Sequence, residues 1–175
     1  MTQSRSEAVD PARGGAGEGH PEPARPEAVM EVLFRTSAAL LRTFDEAMQA
    51  EGFSFTWYDV LVQLHIAPDQ RMRMQDLADA VVFSRSGLTR LIDRMEREGL
   101  VERAPVEGDR RGTYAVLTDE GQATFERYFP GHRAVMHEHF GRHLDEADLQ
   151  ALDRALRKVW QANALANKDP RSRPT

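Results

Sequence analysis

The sequence predicts a mainly α-helical chain with one small β-hairpin, on three observations. Apolar residues recur at threes, fours and sevens from Val29 to Met48, from Leu88 to Met95 and from Leu149 to Trp160, the spacing that gathers them on one helix face. Between Val101 and Thr118 the period drops to two on either side of the turn-rich stretch 106–112. Gly52 and Gly99 fall at the ends of the first two helical runs and Pro68 after a further one at 58–66, where a left-handed residue or a missing amide stops a helix. With 41% hydrophobic and 29% charged residues, the 175-residue chain is rich enough in apolar side chains to bury one core with ordered extensions.

The elements follow in order. Residues 1–26 hold Pro11, Pro21, Pro23 and Pro26 among four glycines with little to bury, and read as a disordered arm. A first long helix carries Val29, Leu33, Leu40, Phe44 and Met48 and stops at Gly52. Thr56 is expected to cap a second, carrying Tyr58, Leu61, Val62, His65 and Ile66 until Pro68 forbids continuation. A third is short and poorly capped, with Leu77, Ala78 and Val81. A fourth has Ser84 as its cap and Leu88, Leu91, Ile92 and Met95 as its apolar stripe, and ends at Gly99. In the hairpin, Val101, Arg103 and Pro105 alternate against Tyr114, Val116 and Thr118. Thr118 then caps a fifth helix, with Asp119 and Glu120 in its positive first turn, Phe125, Phe129 and Met136 turned inward, and a kink at Pro130. Asp145 caps a sixth, whose stripe is Leu149, Leu152, Leu156, Val159 and Trp160. Residues 167–175 are expected to be a flexible tail.

Composition excludes several function classes. No cysteine means no disulfide, thiolate metal site or thiol redox sensor. No stretch reaches the roughly 18 to 20 apolar residues of a membrane span and no apolar leader is present, so a cytoplasmic location without membrane contact is expected. There is no nucleotide-binding glycine loop, zinc protease motif or serine elbow, so an enzyme is not expected, nor is a cofactor. The net charge of -5 is unevenly spread: residues 71–111 balance at +1 and the rest at -6. Only Lys158 and Lys168 among the basic residues are lysines, a bias that suits phosphate and guanine contacts and that a GC-rich genome also produces.

A short helix, a tight turn, a capped helix and a β-hairpin, in that order, make a winged helix-turn-helix. With Leu88 and Leu91 buried, Ser86, Thr89, Arg90, Asp93 and Arg97 turn outward, flanked by Arg85 and Arg94. Hydroxyls and guanidinium groups at the N-terminal end of a helix suit base edges in the major groove and phosphate at the helix end. The hairpin tip places Asp109, Arg110 and Arg111 between Gly108 and Gly112, and an arginine on a thin ribbon can enter a narrow minor groove. An ordinary solvated face, or a winged helix used for protein contacts alone, remains open on these residues. The apolar end helices need a cover that one lobe does not supply, and a second copy is the economical one.

These residues resemble the MarR family of bacterial transcriptional regulators. The carriers are Leu77 to Arg103 and the stretch Asp109 to Gly121, whose Asp, Arg, short strand and Leu-Thr leading to Gly are similar to the family's wing signature. The resemblance spans about Glu27 to Asn163. It implies a winged helix domain over 27–166, with a DNA-binding lobe at about 53–118 and dimerisation helices at 27–52 and 119–166. It further implies a homodimer that binds a pseudo-palindromic operator and acts as a ligand-responsive repressor. By the same resemblance Ser84 to Arg94 form the recognition helix, with Ser84, Arg85, Ser86, Thr89, Arg90 and Arg94 as DNA contacts. Arg110 or Arg111 becomes the minor-groove residue, and Asp93 and Asp109 orient the wing. Val82 replaces the glycine common in helix-turn-helix turns.

A small aromatic or phenolic anion is the effector the resemblance implies, at a junction lined by Arg35, Ala38, Arg42, Trp57, Tyr58, Val62 and His65. Taken singly, Trp57 and Tyr58 also read as core aromatics and His65 as a helix-end histidine. Four histidines, His132, His137, His139 and His143, lie within twelve residues. On a continuous helix His132, His139 and His143 share a face that could chelate zinc or nickel, an alternative weakened by Pro130, Gly131 and Gly141; surface histidines are the simpler account.

Overall fold

The computed structural model describes residues 25–81 and 85–168, with the side chains of Arg85, Ser86 and residues 164–168 left aside. Residues 1–24 of the proposed arm, the Ser84 cap, Val82 and the last seven residues lie outside what is described, while Pro26, read as the end of that arm, opens the first helix. The described residues form six α-helices and a three-stranded sheet: α1 Pro26–Ala50, α2 Phe55–Ile66, β1 Arg71–Arg73, α3 Met74–Ala80, α4 Arg85–Arg97, β2 Val101–Val106, β3 Asp109–Leu117, α5 Asp119–His139 and α6 Glu146–Lys168. Single 3-10 turns follow α2 at Pro68–Gln70 and α5 at Gly141–His143. The chain divides into two units, Met1–Thr36 and Ser37–Thr175.

In the first unit the described residues are the opening of α1. Pro26 starts it, where a missing amide costs nothing, and the amide of Val29 bonds the Arg25 carbonyl. Val29, Val32 and Phe34 are all more than half exposed.

The second unit has its core where α2, α3, α4, the sheet and the first turns of α5 meet. Tyr58, Leu61, Leu64, Leu77, Ile92 and Met95 are nearly or wholly buried there. The apolar stripe of α4 drives this packing, with Leu88 and Leu91 also buried. The helix ends as the sequence requires. Gly99, at φ +73, donates to the Glu96 carbonyl and Leu100 to that of Met95, the paired bonds of a left-handed C-cap. Gly52 closes α1 in the same way, its amide on Gln49 and that of Phe53 on Met48.

The sheet runs β1-β3-β2, antiparallel throughout, with Met72 opposite Ala115 and Arg103 opposite Ala115 on the other side. Strand β1 was not foreseen, because three residues between a helix and a helix are too few to show a period. The hairpin turn is tighter than expected. Glu107 and Gly108 alone make it, and the arginines belong to an irregular stretch of β3: Pro105 pairs with Thr113 but the adjacent Val106 with Asp109, so Arg110, Arg111 and Gly112 bulge from the ladder.

Other expectations need correction. The cap position of α2 is Ser54 and not Thr56, which lies in the first turn, although the Ser54 side chain makes no capping bond. Burial surrounds most of α2 rather than one stripe, yet Ile66 at its end is 68% exposed. Phe125 faces inward, whereas Phe129 and Met136 stay exposed, since beyond Phe125 the helix turns Tyr128 and His132 toward Phe53 and Phe44 instead. The helix runs on through Pro130. Thr118 caps it, accepting from the Gly121 amide at 3.0 Å while donating to the Gly99 carbonyl at 2.6 Å. Asp145 caps α6, which continues to Lys168, into the stretch read as tail.

Candidate nucleic-acid interface

The outward face of α4 follows from which face it buries. Thr89, Arg90, Asp93 and Arg94 are exposed, opposite Leu88, Leu91, Ile92 and Met95. Arg97 leans back onto the Asp93 carbonyl at 3.2 Å. Across from α4, the bulge of β3 exposes Arg110 and Arg111. Between them opens a cleft of about 430 Å³, whose walls include Arg73, Gln75, Thr89, Arg103, Asp109 and Arg111. Among the described residues Arg90, Arg94, Arg110 and Arg111 have no hydrogen bond or ion pair through their side chains, so their donors face solvent.

The carboxylates beside these arginines are engaged elsewhere. Asp93 binds Arg103 of β2, with Nη2 2.6 Å from Oδ1, and not Arg110 or Arg111. Glu96 takes the other arm of the same guanidinium and accepts the Arg103 amide at 3.1 Å. Asp109 receives Arg73 of β1 at 2.8 Å on Oδ2, while its Oδ1 accepts the amides of Arg111 and Gly112, each at 3.1 Å. The Arg73 guanidinium, with help from those amides, holds the Asp109 carboxyl below its ordinary range, and Asp109 in turn raises Arg73. Asp109 therefore shapes the backbone that carries Arg111. Gly112 is required beside it, since a Cβ there would stand 2.7 Å from Asp109 Oδ2 and 2.8 Å from Val106 Cβ.

Arg73 and Arg103 escaped the sequence reading. Arg73 sits on a strand too short to recognise, and Arg103 read as one more alternating residue of β2.

The proposed effector residues differ in their surroundings. Arg35 pairs with Glu31 at 2.7 Å on the opening of α1. Ala38 and Arg42 are exposed further along that helix. Trp57 is half-buried, its ring edge-on to Phe53 at 6.1 Å, and Val62 is half-buried on α2. Tyr58 is a core residue, 1% exposed and stacked on Phe125 at 5.9 Å. His65 also stacks on Phe125, at 4.1 Å, and bonds Gln122 at 2.9 Å through Nδ1.

The shared histidine face is also not formed. Helix α5 ends at His139, and His143 lies in the following 3-10 turn. His132 is enclosed by Phe44, Phe55 and Tyr58 at 4.9, 5.9 and 4.7 Å between ring centres. Its Nδ1 and the Tyr58 hydroxyl are buried without a partner among the described residues. Burial lowers the His132 pKa and pushes the Tyr58 hydroxyl up to about 12. No group of three or more histidine, cysteine or acidic residues among those described could hold a metal ion.

Known proteins match this chain in sequence and fold. A profile of the MarR family covers residues 51–112. The regulator PecS of Dickeya dadantii is 32% identical over 114 residues, 61% of this chain and 65% of PecS, so the match spans less than two thirds of that relative. Two Streptomyces coelicolor structures superpose with a TM-score of 0.69: AbsC, a MarR family transcriptional regulator, is 35% identical over 79% of this chain and 93% of its own. Sco3205, a MarR family regulator in complex with DNA, is 29% identical over 81% and 91%. With its winged lobe, its Asp-to-Gly wing stretch and this similarity over nearly the whole of AbsC, the chain belongs to the MarR family of transcriptional regulators.

Proposed function

We propose that the protein is a homodimeric repressor that grips a pseudo-palindromic operator, α4 entering the major groove and the bulge of β3 the flanking minor groove, with DNA affinity lowered by an aromatic or phenolic anion. One observation carries this reading. Among the described residues Arg90 and Arg94 on α4, and Arg110 and Arg111 on the wing, keep their donors unpaired, with Arg111 and Thr89 of α4 lining one cleft, while Asp93, Glu96 and Asp109 are occupied by Arg103 and Arg73. Basic groups left unneutralised at two edges suit phosphate and base edges better than they suit a solvated surface. Ser84, Arg85 and Ser86 belong to the same proposed face by position.

The second copy is supported by apolar surface. Leu149, Leu152, Leu156, Val159 and Trp160 on α6 are 38 to 71% exposed, and Phe129 and Met136 on α5 about 40%. Such a stripe is costly in water and ordinary inside a dimer. Two copies present two α4 helices related by a two-fold axis, which a pseudo-palindrome matches, and a dimer seated on a promoter blocks polymerase. For the effector, Arg42 is the unpaired cation of α1 and Trp57 the half-exposed aromatic of α2, the two groups a planar anion needs.

The test is to select bound duplexes from genomic fragments and measure affinity by fluorescence anisotropy across salt concentrations. Each phosphate contact should add roughly one unit to the slope of log affinity against log salt. A flat slope, or no enriched sequence, would refute DNA reading. Aromatic acids titrated against the complex should release the DNA; release by zinc, nickel or peroxide in their place would overturn the effector class.

A further inference from the structure

We infer that Arg103 is a positioning residue that fixes the angle between α4 and the wing, and so the half-site geometry the protein accepts. The inference rests on reading α4 and the wing as the DNA-contacting elements. Arg103 lies on β2, and every bond its side chain makes crosses to α4. Nη2 reaches Asp93 Oδ1 at 2.6 Å and the Thr89 carbonyl at 3.4 Å, Nη1 reaches Glu96 Oε2, and the backbone amide of Arg103 donates to Glu96 Oε1 at 3.1 Å. Thr89, Asp93 and Glu96 stand at i, i+4 and i+7, along one flank over two turns of α4. Thr89 at the head of that flank and Arg103 itself line the cleft that Arg111 also lines.

Geometry makes this contact matter. The backbone link from α4 to β2 is the short turn through Gly99, and the bulge with Arg110 and Arg111 is at the far end of the hairpin. Six residues of β2 reach about 20 Å, so a change of roughly five degrees at the turn would carry Arg111 nearly 2 Å, more than a groove contact tolerates. A planar guanidinium spans the Asp93 and Glu96 carboxylates together. A lysine, with one nitrogen, cannot hold both in this geometry. The guanidinium is 26% exposed, so the bridge is partly shielded from water.

The experiment measures how much Arg111 matters with and without the clamp, using a duplex selected from random sequence by the unaltered protein. In the otherwise unchanged chain, Arg111→Ala should weaken binding tenfold or more. In an Arg103→Met background the same change should cost less than threefold, because the wing has already lost its place. Arg103→Lys should restore the melting temperature without restoring the Arg111 penalty. An unchanged Arg111 penalty in the Met background, or a Lys variant that behaves like the original, would show that Arg103 only adds stability. If Arg103→Met is unfolded at the assay temperature, Glu96→Gln weakens the same bridge with its shape kept, and the same comparison decides. Should Arg90→Ala and Arg111→Ala both leave affinity unchanged without any clamp mutation, the DNA-facing assignment itself fails, which is a different result from the failure of the clamp.

Discussion

Single side chains already divide the chemistry between recognition and support. Arg90 is exposed on α4, the helix proposed to read base edges, whereas Arg111 rides on the bulge proposed to enter a groove with a degenerate code. Arg90→Ala should therefore change operator preference and Arg111→Ala chiefly weaken binding, each by about 1 to 3 kcal/mol per half-site; affinities for a panel of operator variants check this. Burial at the α2 and α5 joint makes other side chains report on pH and packing. The His132 pKa is lowered in the folded chain, so the unfolded chain binds the extra proton first. Its contribution to stability is intact above the ordinary histidine value of about 6.5 and is lost as pH falls from there toward the lowered folded value. Urea unfolding at successive pH values should show that loss, and His132→Phe should flatten it. Tyr58→Phe removes a buried hydroxyl with no partner among the described residues, and should raise stability by about 1 kcal/mol in the same assay.

At the scale of elements, junctions decide the architecture. The Leu-Thr-x-x-Gly stretch shows why: Leu117 is buried, Thr118 bonds both Gly99 and Gly121, and Gly121 lies so close to the Leu100 carbonyl that a Cβ would collide with it. Thr118→Ala should cost about 1 kcal/mol by losing the cap. Gly121→Ala, which must move backbone, should cost about 3 kcal/mol or more; thermal melts of both variants test the ordering. Much of this was legible in the sequence, because caps and C-terminal glycines act locally: Thr118, Asp145, Gly52 and Gly99 all stand where the pattern put them. What escaped depends on partners far along the chain. Strand β1 exists because β3 offers it an edge, and Arg103 matters because Asp93 and Glu96 come round to meet it. His132, one of the four histidines clustered at 132–143, differs from its neighbours only once Phe44 and Phe55 close over it.

For the whole molecule, the exposed stripe of α6 with Phe129 and Met136 of α5 predicts that association and folding are one equilibrium. The melting temperature should rise with protein concentration, and sedimentation at micromolar concentration should give a dimer; a well-folded monomer would contradict it. No helix among the described residues is long and apolar enough to cross a membrane. The wing and the helix after it share one further property. Strand β3 ends at Leu117 and α5 begins at Asp119, so a single bonded residue joins them. A joint with no slack behaves as the elbow of a rigid crank: tilt the long shaft of α5 at its distant end and the ribbon of arginines must swing with it. Movement among the apolar side chains of α5 would thus reach the groove as displacement, undamped by any linker.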